Sequence, residues 1–167
     1  TGHLVLTTLH TLNVVETISR IVSFFPPHQH QQIRLLLGGS LKAIVCQRLL
    51  ARSDMPGRVP ALEIMINSGA IRECVMDAEK TVDIPELMEQ GQVQYGMQTF
   101  DQAIMKLYKN GMISFEEAMA AATNPDDFDL RVRGIQSSAD RWGGDEEEEK
   151  PAPKEKSPDL GTDFTKY

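Results

Sequence analysis

An apolar triplet, Leu4-Val5-Leu6, runs into Thr7-Thr8-Leu9-His10-Thr11 and from there directly into a helical pattern. A brief Val-, Leu- and Thr-rich run that ends in polar residues and leads into a helix reads as a buried strand of a parallel sheet, which needs neighbours on both sides. The rest of the chain supplies too few strands for that. The expectation is an α/β chain with residues 4–9 as an interior strand and the remainder of its sheet upstream of Thr1. The opening Thr1-Gly2-His3, without an initiator Met, agrees with such an entry point.

Asn13 is placed to cap a helix in which Val14, Val15, Ile18, Ile21, Val22 and Phe25 recur at helical spacing until Pro26-Pro27 ends it. A second helix over residues 28–44 carries Ile33, Leu36, Leu37, Leu41 and Ile44 on one face, with Gly38-Gly39 loosening its middle. Residues 45–50 and 58–66 read as two strands around the turn Ser53-Asp54-Met55-Pro56-Gly57, and Pro60 confines the second to an edge or to its own start. After Ser68 the period is helical again, in short pieces over 70–77, 84–89, 99–109 and 114–122. Ser68 can cap the first of these, Thr99 with Gln102 and Ser114 with Glu117 form capping boxes, and Gly111 stops the third piece after Asn110.

With 41% hydrophobic and 25% charged residues, the chain has the balance of a globular domain with a core of its own. No apolar stretch approaches the roughly 20 residues of a membrane-spanning helix. The net charge of −7 excludes a nucleic-acid binder, because neutralising phosphates takes clustered Lys and Arg. Residues 143–167 hold eight acidic and four basic residues with little to bury, which predicts a disordered acidic tail. Cys46 and Cys74 lie far apart in apolar segments and read as buried thiols, neither disulfide nor metal pair.

Taken together, Thr1-Gly2-His3-Leu4-Val5-Leu6-Thr7-Thr8-Leu9-His10-Thr11 resembles the histidine box of the type II/IV secretion ATPases, RecA-like motors of pili and secretion. The likeness continues through Arg58-Val59-Pro60-Ala61-Leu62-Glu63-Ile64-Met65, Ala70-Ile71-Arg72, Gly96-Met97-Gln98-Thr99-Phe100-Asp101-Gln102 and Phe128-Asp129-Leu130-Arg131, at spacings similar to the pilus-retraction ATPases of the PilT/PilU type. It covers about residues 1–135. The resemblance implies the C-terminal part of a RecA-like P-loop ATPase domain (residues 1–67), a helical C-terminal subdomain (68–142) and the acidic tail (143–167). By the same resemblance His10 approaches the γ-phosphate, His3 is the earlier histidine of the box, and Thr8 and Thr11 border the nucleotide. An imidazole there can donate a hydrogen bond to a phosphate oxygen or to the attacking water. Ala70, Ile71 and Arg72 resemble the start of the helix that retraction requires; Ile71, Cys74 and Val75 share one side while Arg72 and Glu73 face away.

The resemblance further implies a homohexamer that hydrolyses ATP with Mg²⁺, working in the cytoplasm against the pilus inner-membrane platform protein, alone or with a paralogous retraction ATPase. No G-x-x-x-x-G-K-[ST] phosphate loop occurs; Leu37-Gly38-Gly39-Ser40-Leu41-Lys42 fails because Lys42 does not follow a glycine and precedes Ala43. The expectation is that this stretch alone does not hydrolyse ATP. No metal site is expected: His28 and His30 sit two apart and do not share a helix face. Met97, Met105, Met112 and Met119 read as core or interface filler. Two alternatives stay open: a non-catalytic truncated paralogue that assembles with a full motor, and an assembly or secretion ATPase, whose usual four-cysteine zinc element two cysteines do not supply.

Overall fold

The structure is a computed structural model and describes residues 2–134. The expected acidic tail lies outside the described residues. Within them, α1 (Val14–Ser23) and α2 (His30–Ser40) lead into an antiparallel hairpin of β1 (Ala43–Ala51) and β2 (Arg58–Ile66). Six α-helices follow, with a 3-10 helix at Glu79–Asp83 between the first two: α3 (Gly69–Met76), α4 (Ile84–Gln90), α5 (Gln92–Tyr95), α6 (Phe100–Lys109), α7 (Phe115–Ala121) and α8 (Pro125–Val132).

Local chemistry explains most element boundaries. Asn13 caps α1 by accepting the Glu16 N–H at 2.8 Å. Thr99 and Gln102 form the full capping box of α6, each side chain taking the other's backbone N–H. At α7 only half of the expected box forms. Ser114 accepts the Glu117 N–H, but the Glu117 carboxylate reaches across to the Ala51 N–H at 2.8 Å, fastening α7 to the end of β1. Asn124 and Pro125 start α8, a helix the periodicity alone does not announce; Pro fits its first position because that N–H has no helical partner.

The expected strand over residues 4–9 is absent. Residues 2–11 are irregular, and Leu4, Val5 and Leu6 are 76%, 78% and 88% exposed. The physical reason is the lack of a partner. A strand is held by backbone hydrogen bonds to neighbours, and the sheet among the described residues has two strands that pair with each other. The outer edge of β2 is occupied at Ile64, which exchanges both backbone bonds with Gln98 at 2.7 and 2.9 Å. Pro60 lies on that same outer side, four residues back, so its missing N–H removes no bond to β1.

The second helix also ends earlier than its apolar spacing suggests. After a 3-10 turn at Pro27–Gln29, α2 stops at Ser40, and Ile44 lies in β1 opposite Met65. The Asn67 side-chain amide donates to the Gly38 and Leu41 carbonyls at 2.9 and 2.8 Å, capping α2 from β2's end of the hairpin. Gly38 permits close approach of α3: a Cβ there would stand 2.7 Å from Met76 Cγ.

One core joins these elements. Val14 and Ile18 of α1, Met65 of β2, Ile71 and Val75 of α3, and Phe100 and Ile104 of α6 are all buried in it. Cys46 and Cys74 are free, buried thiols. Met97 and Met105 are buried, and Met112 and Met119 pack against the same cluster. Residues on both sides of position 67 therefore share a single interior.

Candidate functional site

The segment carrying His10 lies over the start of the hairpin and encloses a cleft of about 430 Å³. Thr7, Thr8, Leu9, His10 and Thr11 form one wall; Thr17 and Ile21 of α1, Leu41, and the first residues of β1 form the other. Among the expected site residues, the structure thus gathers Thr8, His10 and Thr11. His3 is exposed on the same segment, outside the cleft lining. Ala70, Ile71 and Arg72 lie elsewhere, on α3: Ala70 and Arg72 are exposed, whereas Ile71 is fully buried in the core.

Two hydrogen bonds anchor the wall to α1. The Thr11 and Thr17 hydroxyls meet at 2.7 Å, and the Leu12 N–H donates to Glu16 Oε2 at 2.8 Å. Thr17 donates its own proton to the Asn13 carbonyl at 2.8 Å. A hydroxyl has one proton to give, so Thr11 is the donor in the pair. Its hydroxyl can accept from a ligand but has no proton left for a phosphate oxygen.

The start of α1 is likewise committed. Leu12, Val14 and Glu16 give their N–H groups to Glu16, Glu63 and Asn13 side chains, each at 2.8 Å. A helix N-terminus is otherwise a ready anion site; here two carboxylates already occupy it. Donors that remain in the cleft include the His10 imidazole, the Thr7 and Thr8 hydroxyls and the Gln47 amide, none with a hydrogen bond to another described side chain, and exposed backbone of residues 7–10. Such a set suits an oxyanion. The lining contains no carboxylate, so it offers no ligand set for a divalent cation. Among the described residues no group of three or more His, Cys, Asp or Glu is placed to hold a metal ion, and His30 Nε2 is engaged with the Phe25 carbonyl at 2.8 Å.

Two buried ionisable groups adjoin the cleft, Cys46 in its lining and Glu63 behind it, and neither composition nor family resemblance singles out Glu63 as a site residue. Glu63 is 7% exposed on the inner face of β2, opposite Cys46 in the ladder. Burial raises its pKa, against the lowering influence of the Val14 N–H and of Arg48. Cys46, which lines the cleft, is pushed up to about 11, first by burial and then by the Glu63 charge. The signal for Glu63 lies in the period of two: it shares a face with Val59, Ala61 and Met65, so an acid occupies a core position. Arg34 is another unexpected buried charge. From α2 it donates to the Val75 carbonyl and the Thr81 hydroxyl, both at 3.0 Å, placing a cation at the C-terminal end of α3. Since α2 runs on into Leu41 of the cleft, one helix touches both the cleft and α3.

The family described as Type II/IV secretion system protein matches residues 1–120. The Type IV pilus ATPase PilU of Pseudomonas aeruginosa is 39% identical over 141 residues, 84% of this chain and 36% of that protein. A twitching motility protein of Neisseria gonorrhoeae is 40% identical over 124 residues, 74% of this chain and 33% of that protein. Among solved structures, the pilus retraction motor PilT with bound ADP superposes with a TM-score of 0.63 at 38% identity, covering 76% of this chain and 34% of that one. This chain spans about a third of the length of the curated relatives it matches. The fold is accordingly α/β, the C-terminal part of a RecA-like ATPase domain with its following helices.

Proposed function

The chain belongs to the type II/IV secretion system protein family, and on that premise we propose that it is the part of a pilus-retraction ATPase that brings an imidazole to the terminal phosphate of ATP. The observation that supports this reading is the position of His10. It is exposed at a cleft whose open donors are itself, Thr7, Thr8, Gln47 and backbone, in a chain 39% identical over 141 residues to a pilus ATPase. In phosphoryl transfer the protein's work is mostly placement and charge stabilisation. A neutral imidazole can donate one N–H to a γ-phosphate oxygen or orient the attacking water. Thr8 supplies a second donor, and Thr11 serves by position and as an acceptor, its proton being held by Thr17. His3 would join the reaction only if residues 4–9 drew inward on gaining sheet partners.

In this proposal residues 1–67 form the nucleotide side and 68–142 the helical side that delivers motion, with exposed Ala70 and Arg72 of α3 as its contact points and Ile71 as the buried anchor. Neighbouring copies in a homohexamer complete each nucleotide site, and the pilus inner-membrane platform protein, with or without a paralogous retraction ATPase, receives the motion. The setting is cytoplasmic, at the inner-membrane periphery; no helix among the described residues is long and apolar enough to cross a membrane. Mg²⁺ would travel with the triphosphate, since the cleft lining carries no carboxylate. Without a G-x-x-x-x-G-K-[ST] loop, the stretch by itself would not turn over ATP.

The test is pilus retraction in cells whose only copy carries His10→Ala. Expected are surface pili in normal or raised number with retraction abolished. Ordinary retraction would instead favour the non-catalytic, adaptor reading.

A further inference from the structure

An acid in the middle of an apolar strand face is unfavourable unless something compensates it. Val59, Ala61, Glu63 and Met65 all face the interior of β2, and Glu63 alone among them is charged. Its partner comes from far along the chain: the Val14 N–H donates to Glu63 Oε2 at 2.8 Å across 49 positions. The charges that act on it are Arg48 of β1 and Asp101 of α6, in opposite directions, and the Cys46 thiol faces it across the ladder.

Val14 is the first residue of α1 and comes four positions after His10. The turn between them is closed by side chains: Glu16 takes the Leu12 N–H, Asn13 takes the Glu16 N–H, and Thr17 takes the Thr11 hydroxyl proton. Each of these bonds ties the His10 segment to α1, but none ties α1 to the sheet. The Glu63–Val14 bond does that at the same turn, beside a weaker contact between the Thr17 hydroxyl and Cys46 Sγ of β1 at 3.9 Å. A hydrogen bond accepted by a buried carboxylate is both directional and stronger than a neutral one, so it fixes the helix start in a way that packing of Val14 and Ile18 alone would not.

We propose that Glu63 is a positioning residue for His10: it locks the first turn of α1 to β2 and so sets where the imidazole stands over the cleft. The proposal rests on the role given to His10 above. It assigns no contact between Glu63 and the nucleotide.

The test compares Glu63→Ala, Glu63→Gln and Val14→Pro in the protein as its gene encodes it. Three quantities are measured: the unfolding temperature, kcat and KM for ATP, and the ring NMR signal of His10, identified by its loss in His10→Ala. Glu63→Ala is expected to lower kcat about 10- to 100-fold, the scale of a small misplacement of a reacting group, with KM for ATP nearly unchanged and the His10 signal displaced. Glu63→Gln, whose amide oxygen still accepts the Val14 N–H, should keep both. Val14→Pro deletes the donor instead, at a first helical position where proline fits and after an Asn13 already extended at φ −159° and ψ 178°. It should repeat Glu63→Ala, and the two together should be no worse than either. An unmoved His10 signal in both bond-breaking variants, or a Glu63→Gln loss equal to that of Glu63→Ala, overturns the proposal. If Glu63→Ala does not fold, Glu63→Gln and Val14→Pro decide it between them. If His10→Ala turns over ATP normally, the role of His10 falls, and the ring signal still decides whether Glu63 places it.

Discussion

Thr11 and Thr17 share a hydrogen bond of 2.7 Å in which Thr11 must be the donor, because Thr17 gives its proton to the Asn13 carbonyl. That one relationship joins the segment carrying His10 to the first turn of α1. Thr17→Val keeps the shape and deletes the hydroxyl. It should lower stability by about 1–2 kcal/mol, the scale of one lost bond plus a partner left unpaired, and reduce ATP turnover. Thr17→Ser should recover most of both. Equilibrium urea unfolding and a steady-state ATPase assay, both on the protein as its gene encodes it, check the pair.

Gly38 and Gly39 make a controlled contrast. A Cβ on Gly38 would meet Met76 Cγ at 2.7 Å and the Arg72 carbonyl at 3.4 Å, whereas one on Gly39 would meet nothing within 4 Å. Alanine in a helix is favoured over glycine by up to about 1 kcal/mol, and overpacking costs about 1–3 kcal/mol. Gly39→Ala should therefore stabilise the protein, and Gly38→Ala should destabilise it. Urea midpoints that rank the two in the opposite order would show that α2 and α3 do not meet this closely.

On α3, Ile71 and Arg72 are adjacent in sequence and opposite in environment. Ile71 is fully buried, and Ile71→Ala should cost about 2–5 kcal/mol. Arg72 is exposed, and Arg72→Ala should change stability by less than about 0.5 kcal/mol. If α3 delivers motion, Arg72→Ala spares ATP turnover and impairs motility. Equal loss of both activities in Arg72→Ala would remove α3 from that role, and loss of function in Ile71→Ala reads as loss of fold.

Cys46 supplies a pH prediction. Its thiol moves from 9.0 to about 11 on folding, chiefly through burial. The native state thus holds its proton to higher pH than the unfolded state, so the associated stability is complete below about pH 9 and is lost as pH rises through about 11. A shift of that size corresponds to about 2–3 kcal/mol. Cys46→Val should flatten this part of the stability profile relative to the parent protein, measured by denaturant unfolding at successive pH values. Alkylation of native Cys46 at about pH 8 should be slow, since the thiolate is the reactive form.

Much of the fold was legible from short-range chemistry. The caps at Asn13, Ser68, Thr99 and Ser114 and the period of two in β2 depend on residues within a turn of each other, and the helices and β2 appear where those residues place them. What escaped depends on distant groups. Ile44 continues the apolar face of α2 in the sequence, yet pairing with Met65 draws it into β1. Glu117 looks like the second half of a capping box until the Ala51 N–H competes for it. Residues 4–9 have the composition of a buried strand, but composition cannot supply the neighbour that a strand needs. At the site, His10, Thr8 and Thr11 were named through family resemblance. Glu63 was readable from register alone, as an acid in an apolar row.

The central claim is that His10 serves the hydrolysis step. The most direct measurement is ATP turnover of purified His10→Ala in the protein as its gene encodes it, compared with the parent protein at equal unfolding temperature and equal affinity for ATP. The expected result is a kcat reduced by about 100-fold or more, the scale for removing a preorganised donor from developing charge, with KM nearly unchanged. A His10→Ala protein that binds and hydrolyses ATP at the parental rate would contradict it.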